Sequence, residues 1–304
     1  MSSNSLWRTA RAKTANIVPW LFTTQLACSA GESTLPFCRN LEHAMKVPVL
    51  ALLFVTLAAS AAEPNGEEAF HQGLKELDAK EWDRALDQLE AALTADPDNL
   101  RYGSEYRQAA ILRAQTIHGK QGSSEDFDRP IKFLTRLVSK NPAAANAFLN
   151  CGLAYVDKVP TVDALTRVGV ANAALTQFNK SVELRPSWVS YYTRGTSYLF
   201  WPKFFGRAKL GLADLETVVQ MQKAGPKKPY YAHAWRALGD GYWKIDKPDK
   251  ARSTWSEGLQ EFPDSVDLQE RLARHGDDLK ALIEDALDPK KRVDTNLQNI
   301  WLYP

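Results

Sequence analysis

Cysteine, histidine and methionine are scarce in this chain, at three, five and three residues among 304. Two of the cysteines, Cys28 and Cys38, fall within the first 44 residues. A working protein that begins after them keeps only Cys151, which excludes an intramolecular disulfide. Beyond residue 62 the histidines His71, His118, His233 and His275 are scattered, with no HxxxH pair and no carboxylate at ligand spacing. That pattern argues against a metal centre. Charge of one sign is not concentrated either. The formal net charge is +2, and the first 61 residues, with five basic side chains against two acidic ones, carry more than that excess. A body of mixed charge offers no basic face to displace counterions from phosphate, so no nucleic-acid partner is expected. The longest apolar run, Val47 to Ala59, has 13 residues, short of the roughly 20 that a spanning helix needs. "GRAKLGLA", Gly206 to Ala213, has phosphate-loop glycine spacing but lacks the Lys and Ser/Thr that would hold phosphate and metal. No catalytic residue, cofactor or metal site is expected, and Cys151 is assigned to packing.

What the chain does have begins with "MKVPVLALLFVTLAASAAEP", Met45 to Pro64. A single lysine, an apolar stretch and then small residues form the layout of a secretory signal peptide, with cleavage expected after Ala61 or Ala62. A surface helix would show polar residues at helical spacing, and none occurs between Lys46 and Thr56. Residues 1–44 are then an upstream leader outside the mature protein, and 45–62 the signal. No cysteine stands at the cleavage point to carry a lipid, so the product is expected to be periplasmic or secreted, without membrane contact.

The rest is repetitive. In "AHAWRALGDGYWKIDKPDKARSTWSEGLQEFPDS", Ala232 to Ser265, small Gly239, Ala251 and Gly258 alternate with Trp235, Leu238, Tyr242 and Trp255, and Pro263 closes the segment. Small residues let two antiparallel helices approach, large ones fill the space beside them, and a proline stops the second helix. The 34-residue segment resembles the tetratricopeptide repeat family. "GEEAFHQGLKELDAKEWDRALDQLEAALTADPDN", Gly66 to Asn99, repeats the scheme with Gly73, Ala85, Leu89, Ala92 and Pro97. Two interrupted copies lie between. One pairs Phe148, Cys151, Gly152 and Tyr155 with Ala174, Phe178 and Pro186 across ten extra residues, and its second helix is expected to be lengthened. The other starts at Tyr191, Gly195 and Tyr198 and delays its second helix to about Ala208 to Gln222. Leu100 to Pro142 is the most degenerate stretch. Residues 63–265 are therefore expected to be the repeat domain, and 266–304 two capping helices and a tail. The tail, basic and then apolar, is expected to fold back onto the last helices, since exposed terminal Trp301 and Tyr303 would be a solubility hazard. The fold class expected is all-α, a right-handed superhelical solenoid of antiparallel helix hairpins.

The resemblance implies a concave groove lined by the first helix of each pair. It points to Leu149, Leu153, Tyr192, Thr196, Phe200, His233, Arg236, Asp240, Trp243 and Lys244, apolar in the middle and charged at one end. Such a surface suits an extended peptide or a helix with apolar anchors. The stretch "YLFWPKFFGRAKLG", Tyr198 to Gly211, adds Trp201, Phe204 and Phe205 at a hairpin turn. They are expected either to pack on the lengthened helix of the preceding repeat or to form an aromatic lip for a partner. The function expected is an exported scaffold or assembly helper for another envelope or secreted protein, without catalysis. The alternative is a periplasmic small-molecule carrier, or a transporter-associated repeat component, with an enclosed apolar pocket. A sealed apolar cavity of a few hundred Å³ would favour the carrier.

Overall fold

The computed structural model describes residues 65–303, so the expected leader, signal peptide and cleavage site lie outside the described residues. Everything described is helix and turn. The helices are α1 (Gly66–Asp78), α2 (Trp82–Ala95), α3 (Leu100–His118), α4 (Asp128–Lys140), α5 (Ala145–Lys158), α6 (Ala164–Leu184), α7 (Trp188–Leu199), α8 (Ala208–Lys223), α9 (Ala232–Lys244), α10 (Pro248–Glu261), α11 (Val266–Ala273), α12 (Gly276–Ala286) and α13 (Gln298–Leu302). They form a solenoid of antiparallel helix hairpins. Among the described residues no helix is long and apolar enough to cross a membrane.

Local chemistry sets the helix starts. Asn65, Asn99 and Asp163 cap α1, α3 and α6 by accepting a backbone N–H two or three residues ahead, and Ser187 with Ser190 forms a capping box at α7. These side chains satisfy donors that the first turn leaves without partners. The hairpin turns of the first and fifth pairs each place a non-glycine residue in the left-handed region, Lys80 at φ 62° and Asp246 at φ 60°. Both are the fifteenth residue of their repeat, so the two clearest repeats turn in the same way.

In three of the pairs the helices lock through a glycine under a large side chain. A Cβ at Gly239 would overlap the indole of Trp255, and one at Gly258 would overlap Trp235, so α9 and α10 are keyed in both directions. Gly152 sits under Phe178 and Gly73 under Leu89 in the same manner. The core follows the array as successive clusters. One joins α1 to α5, a second joins α7 to α12, and a third lies between them around Leu149, Leu153, Phe178, Val189 and Trp201.

The degenerate stretch forms the two helices α3 and α4, with Pro130 buried in the first turn of the latter. They hardly touch each other. α3 packs on α2 and α5, and Phe127 from the connecting turn fills the gap against Ile111 and Ala114. The lengthened second helix is α6, at 21 residues. The aromatic insertion begins where proline requires it: α7 ends at Leu199, and α8 starts after Gly206, at φ 67°.

The tail departs from expectation. Segment 288–300 does fold back, but onto α3 and α5 in the first half of the array and not onto the last helices. α11 and α12 already have their apolar faces in use, since Leu268, Leu279 and Ile283 are buried against the α9–α10 pair. Open hydrogen-bonding positions lie instead across the groove, at the buried Arg107 and Asp157.

Candidate ligand-binding groove

Arg107 of α3 and Asp157 of α5 are 1% and 3% exposed, with Nη1 to Oδ2 at 3.0 Å. A buried ion pair holds together only if its remaining donors and acceptors are also satisfied. Here neighbours and the tail complete it. Arg107 Nε donates to Asn150 Oδ1 at 3.1 Å, Nη1 also donates to Thr295 Oγ1 at 3.1 Å, and Nη2 donates to the Thr295 carbonyl at 3.0 Å. Thr295 Oγ1 donates in turn to Asp157 Oδ1 at 2.6 Å. Two further ties flank this anchor. Arg292 donates to the carbonyls of Asp157 and Gln121, and the Leu297 N–H donates to Ser104 Oγ at 3.4 Å. Segment 288–300 is thus a strap across the concave side.

Beneath the strap lies a cavity of about 620 Å³. Its floor is the inner face of α5, α7 and α9, represented by Leu153, Val156, Tyr192, Thr196 and Phe200. One wall is the extended front half of α6, with Val168 and Ala171. Trp201 and Phe205 of the aromatic insertion and Leu297 and Ile300 of the strap complete the lining of a space that stays partly open to solvent. Of the residues expected to line a groove, Leu153, Tyr192, Thr196, Phe200, His233, Arg236 and Asp240 border this one space. The other three are placed elsewhere. Leu149 is fully buried in the core around Phe178, Trp243 packs beside Trp255, and Lys244 Nζ donates to the Leu199 carbonyl at 2.6 Å. Burial and the nearby Lys203 charge lower the Lys244 pKa from its ordinary value.

The charged end is largely self-paired. Asp240 receives two bonds from Arg271 at 2.6 and 2.7 Å, with both side chains buried. Arg236 Nη1 lies 3.1 Å from Asp267 Oδ2. His233 is held below its usual pKa, mainly by desolvation and then by the Arg236 charge. The aromatic insertion divides. Trp201 is 5% exposed, with the Arg207 guanidinium stacked 3.7 Å from its ring centroid, whereas Phe204 is 82% exposed and Phe205 partly so.

Cys151 is buried, with its thiol pushed up to about 11 by desolvation, so it is neutral and unreactive at ordinary pH. Among the described residues no cluster of His, Cys, Asp and Glu could hold a metal ion. The residues that sequence reasoning missed are Arg107, Thr295, Leu297 and Ile300. Their only signal was the basic-then-apolar composition of the tail, which says nothing about where it docks.

Residues 232–275 match the profile of the tetratricopeptide repeat family. A solved structure of a thermophilic tetratricopeptide-repeat protein from Thermus thermophilus is similar at 18% identity, covering 68% of this chain and 97% of that one with a TM-score of 0.46. MamA is similar at 17% identity, covering 64% and 91% of the respective chains with a TM-score of 0.42. No curated protein matches the chain.

Proposed function

Starting from a helical-hairpin array that carries a tetratricopeptide repeat at residues 232–275, we propose that this protein is a non-catalytic scaffold or assembly helper. It acts outside the cytoplasm and grips another exported protein through its concave side. The observation that carries this reading is that the groove already holds an extended peptide, the chain's own strap. Arg107 takes a main-chain carbonyl and Ser104 a main-chain N–H of that segment. Those are the contacts by which a groove holds a backbone regardless of its sequence, while pockets for alternate side chains add specificity. Export rests on the signal-like stretch Met45 to Ala62, and N-terminal sequencing of protein from the native host is expected to begin at Ala62 or Glu63. A product in the cytosol that retains Met1 would defeat it.

The partner reading is tested by capture from an envelope extract with the full protein and with a Tyr192→Ala, Phe200→Ala variant. One protein species should be recovered by the first and lost with the second. Recovery indifferent to the groove substitutions would overturn it. A second reading, a small-molecule carrier, is supported by the cavity under the strap, whose 620 Å³ lies within the range of ligand pockets.

A further inference from the structure

The cavity is mostly apolar in its walls, and most polar residues along it have their partners elsewhere; His233, at the charged end, stands 3.9 Å from Asp267. Thr196 and Ser197 donate to carbonyls of their own helix, at 2.8 Å to Tyr192 O and 2.7 Å to Thr193 O. Arg167 is held by the carbonyls of Val159 and Val162 at 3.2 and 2.7 Å. Asp240 is occupied by Arg271 and Thr295 by the strap anchor. Two guanidinium nitrogens of the lining, Arg236 Nε and Arg292 Nε, lack partners, and neither has accessible surface with which to meet one. A polar ligand would therefore lose its hydration and gain little in return. Ordered water fares no better, because a buried water needs two to four polar partners.

Small side chains keep the space open. Ala171, Ala174 and Ala237 stand on its lining, where a leucine or phenylalanine would fill it. The exposed Lys291, Asp294 and Asn299 of the strap border it on the solvent side and form a polar rim. At about 30 Å³ for each water-sized or methylene-sized group, the volume accommodates roughly twenty such groups.

We infer that the cavity binds the hydrocarbon chain of a long-chain amphiphile, with its polar head at the Lys291–Asn299 rim. This rests on the carrier reading and names its ligand class.

The test titrates the full chain by calorimetry with unbranched monocarboxylates of 8 to 18 carbons, each below its micelle concentration. Affinity should rise about fourfold per added methylene, the equivalent of burying one CH₂, and stop rising once the cavity is full. Ala171→Phe should move that plateau to shorter chains and lower the affinity for long ones at least tenfold, with a thermal melt unchanged or raised. Ala237→Phe, on α9, should do the same if the first variant folds poorly. Affinity independent of chain length, or unaffected by both fillings, overturns the proposal. Native mass spectrometry of protein from its host separates the two levels. A polar small molecule in the complex overturns the hydrocarbon assignment and keeps the carrier reading, whereas a protein that holds no small molecule and binds no monocarboxylate overturns both.

Discussion

Glycine at the eighth position of a repeat has a definite task here, and it can be isolated from helix propensity. Gly239→Ala gains the roughly 1 kcal/mol that alanine offers over glycine within a helix, but its methyl overlaps the Trp255 indole. Overpacking costs about 1–3 kcal/mol, so a net loss in a urea melt is expected, larger for Gly239→Leu. Gly169, exposed on α6 with nothing near a Cβ, is the control: Gly169→Ala should stabilise by about 0.5–1 kcal/mol. Equal responses at the two sites would mean that the close approach is not what requires Gly239. These glycines were legible in the sequence because their partners lie at fixed spacing in the same repeat. Arg107 was not, because the groups that satisfy it are 43, 50 and 188 residues away.

Cys151 gives a pH dependence of known sign. Its thiol stays protonated in the fold up to about 11, against an ordinary value near 9, so between those values the unfolded chain binds fewer protons. Stability should fall as pH rises through that window and be unaffected below it. Relative to Cys151→Ala, the wild type should lose up to about 2–3 kcal/mol by pH 11. A stability difference that stays constant from pH 8 to 11 would show the thiol to be accessible. The aromatic insertion is a third residue-scale case. Phe204→Ser with Phe205→Ser should leave the thermal melt nearly unchanged, while Trp201→Ala should cost about 3 kcal/mol. A large loss from the phenylalanine pair would mean that they pack as Trp201 does.

At the scale of the element, helix hairpins follow from periodicity and caps, but the strap follows from a demand generated elsewhere. Sequence composition implied that the apolar tail would fold back, which holds for Leu297 and Ile300, whereas Leu302 and Tyr303 stay about half exposed. It could not supply the destination, because the receptor for Thr295 exists only after α3 and α5 have brought Arg107 and Asp157 together. The α6 wall is different: its extra length was readable from ten additional residues, and an inserted helix is a natural wall for a pocket. Thr295→Val keeps the shape of the strap and removes the hydroxyl from the anchor. It should cost about 1–3 kcal/mol for the buried groups left unsatisfied and accelerate tryptic cleavage at Lys290, Lys291 and Arg292. Cleavage at the wild-type rate would show that Arg292, the Leu297 N–H and the apolar Leu297 and Ile300 hold the strap without the Thr295 hydroxyl.

At the scale of the molecule, an array of hairpins in which each unit touches only its neighbours is stabilised locally and can unfold piecemeal. The strap breaks that rule by tying residue 295 to residue 107. Deleting residues 288–304 should therefore broaden the urea transition or split it in two, with α1–α4 exchanging amide hydrogens independently of α7–α12. A single transition of unchanged steepness would show that the intervening core alone couples the halves.

That tie also fixes an order of events during folding. Contacts spanning 188 and 193 residues have the largest closure entropy to overcome, and they gain nothing until the helices they dock on are formed. Docking of the strap is consequently a late step, and the cavity stands open through the steps before it. Refolding from denaturant with a ligand present is then the condition under which the cavity fills fastest, because the finished molecule admits one only past the rim of the docked strap.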